Sequence, residues 1–528
     1  MDTQERQAGT AGGTTPATAP ATRRAWIALA VLLLPLLLVS MDVSVLYFAV
    51  PFISQDLHPS STQQLWIFDI YGFVLSGLLI TMGALGDRIG RRRLLLTGAL
   101  AFGAASTLAA YADSAATLIG ARAVLGVAGA TLMPSTLGLI RNLFPDPAQR
   151  SRAIAIWTAV TSGGIAVGPV LSGILLEHFW WGSVFLINLP AMVLLLVLGP
   201  VLVPETPRST AGRFDLASAV LSLAAILPLI YGVKELARNG FQPLPLVAIL
   251  LGAVFGMLFV RRQRSHPYPL VDPVLVRSRA FSASVAMNVL AMFALVGMAV
   301  FVTQYLQLVL AMSTLRAALW SVLPSLLVGG VAPSAAALGR RFGPGPVVAG
   351  GFAVMAPGFA VLALLTPHSP LWLLLVAAGL YACGAVGVMS QVSEVVMASA
   401  PAERAGAAAG LLESGTELGG ALGMALLGSV GTALYRSDIR GLLPAGLPGD
   451  LLGRVRDSLG GADAVAGQLP GGLGHGVLAA AREAFTSGLQ GAAICAAVLT
   501  ALGAVLAAVL LRGVRVGTPG SPSVHRGQ

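Results

Sequence analysis

Fourteen stretches of about twenty or more mainly apolar residues, each interrupted by glycine, proline or charge, leave this chain few ways to fold. They lie near 26–52, 65–85, 94–112, 116–140, 153–175, 183–203, 215–233, 244–260, 281–310, 316–337, 346–366, 371–399, 405–434 and 486–511. A helix of about 20 residues crosses the ~30 Å hydrocarbon core of a bilayer, and in lipid every backbone N–H and C=O must be paired within the span or its neighbours. Composition agrees: 56% of residues are hydrophobic, 10% are charged and the mean hydropathy is +0.83, too little polar surface for a soluble body of 528 residues. The fold class expected is an all-α integral membrane protein with fourteen transmembrane helices. The first run is too long for the apolar region of a signal peptide and reads as the first span.

Between the second and third spans lies Gly83-Ala84-Leu85-Gly86-Asp87-Arg88-Ile89-Gly90-Arg91-Arg92-Arg93-Leu94-Leu95. Its basic residues Arg88, Arg91, Arg92 and Arg93 place it on the cytoplasmic side by the positive-inside bias. Gly83, Gly86 and Gly90 let two helix ends approach and turn, while Asp87 can pair with a guanidinium or a helix N-terminus. Such a loop is commonly topogenic alone; the ordered Gly, Asp, Arg, Gly spacing also suits a cytoplasmic gate formed by Gly83, Asp87, Arg88, Gly90 and Arg92. With both termini inside, 23 basic residues fall in cytoplasmic segments and 3 (Lys234, Arg238, Arg316) in short outer loops; five more lie in the long segment 436–485 and Arg122 lies within a span. The net charge of +10 is thus a topology signal, carried by loops and not by a nucleic-acid-binding face.

Ala337-Leu338-Gly339-Arg340-Arg341-Phe342-Gly343 repeats Ala84-Leu85-Gly86-Asp87-Arg88-Ile89-Gly90, with arginine in place of the aspartate. The copies follow spans 2 and 10, an offset of eight helices. This divides the chain into a tail over 1–24, expected to be disordered and cytoplasmic, a six-helix bundle over 25–204, two inserted helices over 205–262, a second six-helix bundle over 280–512, and a cytoplasmic tail over 513–528. The outer segment 436–485 within the second bundle is rich in Gly and Pro, with amphipathic stretches near 450–459 and 475–485 that predict two short helices.

Reactive chemistry is sparse. The six histidines stand apart, so no metal cluster is visible. Cys383 and Cys495 lie in apolar runs and define no disulfide framework, and no phosphate-binding glycine loop is present. What remains are carboxylates inside apolar spans, expensive to hold ionised and therefore functional candidates: Asp42, Asp69, Glu394, Glu413 and Glu417. Asp42 lies about 24 Å into span 1 at 1.5 Å per residue, within the bilayer. A carboxyl there can carry a proton if a switch in access couples to it. Arg122 on span 4, among small residues, is its natural counter-ion, unless it snorkels to the nearby outer surface. On span 5, Gly164, Gly168, Pro169 and Gly173 allow close helix contact and a kink. Trp66, Tyr71, Trp157, Phe301, Tyr305, Tyr381 and Met389 could line an adaptable apolar and cation–π wall, although each singly could be packing.

The charged loop resembles the motif G-x-L-x-D-R-x-G-R-R-x-x-L of the major facilitator superfamily and matches it at every defined position. Met41-Asp42-Val43-Ser44-Val45-Leu46-Tyr47-Phe48-Ala49-Val50-Pro51 is similar to the first-helix motif L-D-x-T-V-x-N-V-A-L-P of fourteen-span drug/proton antiporters, with Ser44 for Thr and Tyr47-Phe48 for Asn-Val. The span 4 run around Arg122 resembles the superfamily motif whose arginine is implicated in proton coupling. Gly164-Ile165-Ala166-Val167-Gly168-Pro169-Val170-Leu171-Ser172-Gly173 resembles the antiporter motif that separates exporters from uptake members, with Ser172 for one glycine. Together with Glu413 and Glu417, these features resemble the quaternary-ammonium and multidrug efflux pumps of the drug/proton antiporter-2 family, over nearly all of 25–512. The resemblance implies proton coupling at Asp42 and Arg122, and proton or cation-substrate binding at Asp69, Glu394, Glu413 and Glu417. An acid sometimes found on span 10 is replaced by Gly329-Gly330.

The function expected is proton-driven export of lipophilic, mainly cationic drugs by alternating access, because a cation and a proton compete for the same acid. An exporter dedicated to one self-made antibiotic is the alternative; a membrane-embedded enzyme is disfavoured because no nucleophile–base or metal constellation is visible. The expected partners are amphipathic small molecules, protons and the lipid bilayer, with no nucleic acid and no cofactor beyond the proton gradient. The protein is expected to act as a monomer in a bacterial inner membrane, with both termini cytoplasmic.

Overall fold

The computed structural model describes residues 22–205, 216–239, 241–265, 273–328, 331–399, 405–444, 447 and 449–514. The expected tails fall largely outside the described residues, and Gly329 and Gly330 wholly so. No strand occurs among the described residues. The first five spans are single helices: α1 (Arg23–Leu57), α2 (Ser61–Ile89), α3 (Arg91–Ala110), α4 (Ala115–Leu143) and α5 (Pro147–His178). The sixth is broken into α6 (Ser183–Leu186) and α7 (Asn188–Leu202). Pro190, with no N–H to donate, cannot bond back across that joint. Next come α8 (Leu216–Asn239), α9 (Pro243–Ser265), α10 (Pro273–Arg277) and α11 (Arg279–Gln304), which ends in a π-helical turn over Tyr305–Val309. The last third holds α12 (Thr314–Val328), α13 (Val331–Phe342), α14 (Pro344–Leu362), α15 (Leu371–Ser399), α16 (Ala405–Leu442), α17 (Gly449–Asp457), α18 (Leu459–Ala466) and α19 (Gly471–Leu510). Ten helices among the described residues are long and apolar enough to cross a membrane; shorter apolar stretches, Val167–His178 and Val220–Val233, lie within α5 and α8.

The charged turn is tighter than the sequence suggests. Helix α2 runs through Gly83 and Asp87 to Ile89, and the chain reverses at Gly90 alone, whose φ of 105° an L side chain rarely adopts. Its N–H donates to the Gly86 carbonyl at 3.0 Å. The repeated segment has the same construction: Gly343, with φ 87°, donates to the Gly339 carbonyl at 2.9 Å. The short sequence repeat is therefore also a repeat of backbone geometry.

In the first half α1 packs on α5, α2 on α4, and α3 on α4 and α7; in the second, α14 packs on α15 and α19, and α11 on α16, α15 and α19. The halves meet where α2 lies on α16 and α5 on α12, while α8 packs on α9 and bridges α2 and α16. Among the described residues, hydrogen bonds tie the halves together at the end away from Gly90. Gln307 Nε2 donates to the Phe48 carbonyl at 3.2 Å, and the Leu315 N–H donates to Glu177 Oε1 at 3.3 Å.

The segment 436–485 differs from expectation. Its two short helices are α17 and α18, and the amphipathic stretch near 475–485 is no separate helix but the start of α19, continuous over 40 residues. No proline lies within Gly471–Leu510, so α19 extends past the apolar run in one piece. Helix α16 likewise runs to Leu442. The two short helices fold back onto the helix ends: Tyr435 Oη donates to the Val455 carbonyl at 2.7 Å, Arg436 pairs with Asp457 at 3.1 Å, and Arg454 donates to His58 at 3.0 Å.

Candidate functional site

Asp42 lies on α1 between the helix-interior prolines Pro35 and Pro51. Arg122 lies on α4, which approaches α2 closely because Gly126 and Gly129 carry no side chains. A Cβ at Gly126 would stand 2.8 Å from the Tyr71 carbonyl, and one at Gly129 would stand 3.1 Å from the Tyr71 hydroxyl. That approach brings Tyr71 over the guanidinium, at 4.8 Å from ring centre to Cζ. Arg122 forms an ion pair through Nη1 with Asp42 Oδ2, donates from Nε to the Ile67 carbonyl at 3.0 Å, and is 0% exposed. It does not snorkel. Arg122 Nη2 and the Tyr71 hydroxyl are buried without a hydrogen-bond partner, which is rare for polar groups in a purely architectural core.

Other acids gather around this pair. Asp69 is fully buried on α2. Tyr47 on α1 feels the charges of Asp69, Glu417 and Arg122, and Tyr71 those of Asp42, Glu417 and Arg122. Glu417 on α16 acts on this region from the other half, and Glu413 lies one turn before it and acts on Glu417. Between them Thr416 accepts a hydrogen bond from buried Asn288 of α11 at 2.7 Å. The seam itself is close, since a Cβ at Gly72 would stand 3.2 Å from that of Ala421. Acids from both halves thus face a shared region along the seam where α2 meets α16. Tyr47 belongs to it too. Its departure from the Asn of the first-helix motif was the only sequence sign.

Glu394 is not part of this group. It lies five residues before the end of α15, accepts from Gln391 Nε2 at 3.4 Å and faces Arg340 and Arg341. At 29 residues α15 is longer than the roughly 20 that cross a bilayer, so a carboxylate within its apolar run can lie at the helix end.

The glycines of α5 do what their spacing suggests. A Cβ at Gly164 would stand 2.9 Å from the Leu37 carbonyl; one at Gly168 would run into Ser44 Oγ; one at Gly173 would stand 2.8 Å from Leu315 Cα of α12. Ser172, in place of a glycine, donates to the Val45 carbonyl at 3.0 Å. Pro169 sits inside a helix that continues to His178. Helix α5 is therefore fitted against the stretch of α1 that carries Asp42 on one side and against the second half on the other.

The aromatic candidates separate. Tyr71 covers Arg122, and Phe301 lines a cavity of about 70 Å³ with Phe68, Gln304, Asp457 and Phe485, below α17 and α18. Trp66 packs in the core near α16, and Trp157 donates to Thr136 Oγ1 at 3.3 Å. Tyr305 donates to the Thr366 carbonyl at 2.5 Å, and Tyr381 stacks on Phe359 at 4.9 Å. These last two are packing residues, held within the second half.

At the Gly90 turn Arg92 donates to the carbonyls of Pro200 and Val203 at 3.2 and 3.1 Å and pairs with Glu205 at 3.3 Å; Arg93 lies 3.8 Å from the same carboxylate. Arg91 donates to the Pro134 carbonyl at 2.9 Å. Arg88 is exposed, and the Asp87 side chain lies outside the described residues. Glu205 is not among the residues expected from the sequence, although an acid just past an apolar run, here paired with Arg92 and Arg93, is a usable charge signal. Among the described residues no group of three or more His, Cys, Asp or Glu side chains could hold a metal ion.

A helical body with apolar outer faces, a buried ion pair at its centre and further acids from both halves facing it is built as a membrane transporter. The chain belongs to the major facilitator superfamily: that family's model matches residues 32–424. It is 45% identical over 491 residues to the multidrug efflux pump LfrA of Mycolicibacterium smegmatis, covering 93% of this chain and 97% of that one. It is 37% identical over 465 residues to the methyl viologen resistance protein SmvA of Salmonella typhimurium, covering 88% and 93%. A tetracenomycin C resistance and export protein of Streptomyces glaucescens is 34% identical over 413 residues, covering 77% and 76%. The fold is shared with a bacterial homologue of the human lysosomal transporter Spinster, solved inward-facing and unoccupied, at a TM-score of 0.64 and 17% identity over 93% of this chain and 98% of that one. The protein is a multi-pass membrane transporter of the drug-efflux type and not an enzyme.

Proposed function

We propose that this protein is a proton-coupled antiporter that exports lipophilic, mainly cationic drugs by alternating access across a bacterial inner membrane. The observation that carries the reading is the buried pair of Asp42 and Arg122, with two leftover polar groups beside it, Asp69 and Glu417 acting on the same region, and Glu413 one turn from Glu417. A proton taken up by Asp42 discharges the pair and frees the guanidinium. A cationic drug held by the acids of α16 opposes that uptake. Each therefore expels the other, which is the requirement for exchange. The resistance to methyl viologen in the name of one relative supports cationic substrates.

The proposal includes fourteen spans, with two six-helix bundles over 25–204 and 280–512 and two inserted helices between them. Both termini and the Gly90 turn face the cytoplasm, with α17 and α18 outside; the protein acts as a monomer without a cofactor. The hydrogen bonds between halves at the α17 end support an outside-closed state. The clasp of Arg92 and Arg93 on Glu205, together with Gly83, Asp87, Arg88 and Gly90, forms the cytoplasmic gate element. A second reading, export of one self-made antibiotic by the same mechanism, draws on the tetracenomycin C relative.

The test is ethidium extrusion by proteoliposomes carrying an imposed proton gradient, with and without an uncoupler. Extrusion that stops with the uncoupler is the expected result. Extrusion indifferent to the gradient sinks proton coupling, and transport of a single antibiotic but no dye favours the second reading.

A further inference from the structure

We propose that the cavity of about 640 Å³ where α13, α14, α15 and the end of α19 meet binds the phosphate of an anionic phospholipid. Its volume lies within the range of about 300–1,000 Å³ typical of small-ligand sites. Arg340 and Arg341 at the end of α13 and Arg512 just past α19 line it, with Gln391 and Glu394 of α15. Three guanidinium groups against one carboxylate leave a local charge of +2 (3 − 1). None of the three arginines has an ion-pair or hydrogen-bond partner among the described residues. Arg341 lies over the Phe342 ring at 5.1 Å. Like charges held together without partners repel, and an anion between them relieves that repulsion. The start of α14 adds to the field: Gly343 turns into it with φ 87°, no side chain caps it, and Gly343 and Gly345 line the cavity.

The surroundings point to a lipid and not to a dissolved ion. Phe342 beside the arginines is 57% exposed and Leu338 on the same helix 47%. Val498, Leu502, Val505 and Val509 form an exposed apolar stripe along α19 that leads to Arg512. Acyl chains laid along this stripe bring the lipid phosphate to the arginines. Helix-end arginines at a membrane surface favour anionic lipids by about 1 kcal/mol each, or about fivefold. Glu394 then has a role outside the central acid group: it orients Gln391, which is 1% exposed, and limits the charge of the cavity.

The experiment is native mass spectrometry of the full-length protein equilibrated with equal amounts of phosphatidylglycerol and phosphatidylcholine in detergent. The native protein should retain phosphatidylglycerol preferentially. Arg340→Gln/Arg341→Gln/Arg512→Gln should lose that preference by about fivefold per arginine, whereas Arg261→Gln/Arg264→Gln, at exposed positions on the end of α9, should keep it. Equal retention of the two lipids by the native protein, or an unchanged preference in the triple variant, overturns the proposal. So does stabilisation by inorganic phosphate equal to that by phosphatidylglycerol, which would mark a site for a free anion. If the triple variant does not fold, Glu394→Gln serves instead: it raises the cavity charge by one and should strengthen phosphatidylglycerol retention, and no change would refute the site.

Discussion

Replacing Asp42 by asparagine tests the central ion pair on stability and on transport together. The change preserves size but leaves Arg122 charged, 0% exposed and without its counter-ion. Removing one partner of a buried pair costs about 3–5 kcal/mol. Part of the guanidinium's environment survives, through the Ile67 carbonyl at 3.0 Å and the Tyr71 ring at 4.8 Å. The expected loss is therefore near the lower limit, about 3 kcal/mol. The double variant Asp42→Asn/Arg122→Gln leaves no unpaired charge at either position, so it should recover about 2 kcal/mol of that loss, within the usual range of coupling between contacting residues. Denaturant unfolding of the purified protein in mixed micelles gives the stabilities, and substrate-induced proton release in proteoliposomes gives the coupling. Both variants should have lost proton release, because neither keeps a titratable group at residue 42. If Asp42→Asn unfolds like the native protein and the double variant gains nothing, Arg122 is not held by this pair. If proton release persists in Asp42→Asn but disappears in Glu413→Gln and Glu417→Gln, the coupling site lies on α16 instead.

Three further outcomes follow from local geometry. Burial pushes the Asp463 carboxyl of α18 above the ordinary aspartate value, against the opposing effects of Arg482 on α19 and a 3.4 Å hydrogen bond from Gln55 on α1. The folded state then holds this proton more tightly than the unfolded state does, so the docking of α17 and α18 weakens as pH rises from the ordinary value through the raised one and strengthens as it falls; hydrogen exchange in α18 should show this trend, and Asp463→Asn should flatten it. Gly164→Val drives a side chain against the Leu37 carbonyl, 2.9 Å from the nearest Cβ position, and should cost about 1–3 kcal/mol of stability along with most dye efflux; normal efflux at normal membrane abundance would mean that close packing of α5 on α1 is dispensable. Gly90→Ala forces an L residue to φ 105° and places its Cβ 2.5 Å from Glu205 Oε1, so transport should fall while the protein still inserts, and Glu205→Gln should reproduce the part of that loss due to the arginine clasp; unimpaired transport in both would leave the turn a purely topogenic element.

Much of the fold was legible because a membrane-spanning helix is announced by local composition. The expected span at 371–399 is α15 residue for residue, and the repeated glycine of the charged turn reappears as a backbone reversal at Gly90 and at Gly343. Composition was less able to place helix ends. It ended a span near 434 and began another near 486, whereas α16 and α19 continue to Leu442 and back to Gly471, because a helix does not stop where it leaves the hydrocarbon unless a breaker stops it. The candidate site was legible in part: Asp42, Arg122 and the small residues of α4 and α5 were all visible, and the structure joins them. Glu205 and Tyr47 escaped because their partners are remote in sequence, Arg92 and Arg93 for one, and Asp69, Glu417 and Arg122 for the other.

The sequence by itself determined the membrane class, the helical state of the spans and the presence of a glycine turn between spans 2 and 3, since these depend on hydropathy, on the pairing demanded of a backbone in lipid and on what glycine alone permits. Tertiary structure decided which charges meet. Arg122 could have snorkelled from the same position on the same helix; it pairs with Asp42 because α1, α2 and α4 close around it, while Glu394, equally apolar in its local sequence, is carried by the length of α15 to a set of arginines at the helix end. A side chain's partners depend on which helix faces lie together, and helix packing sets that through contacts between residues far apart in the chain.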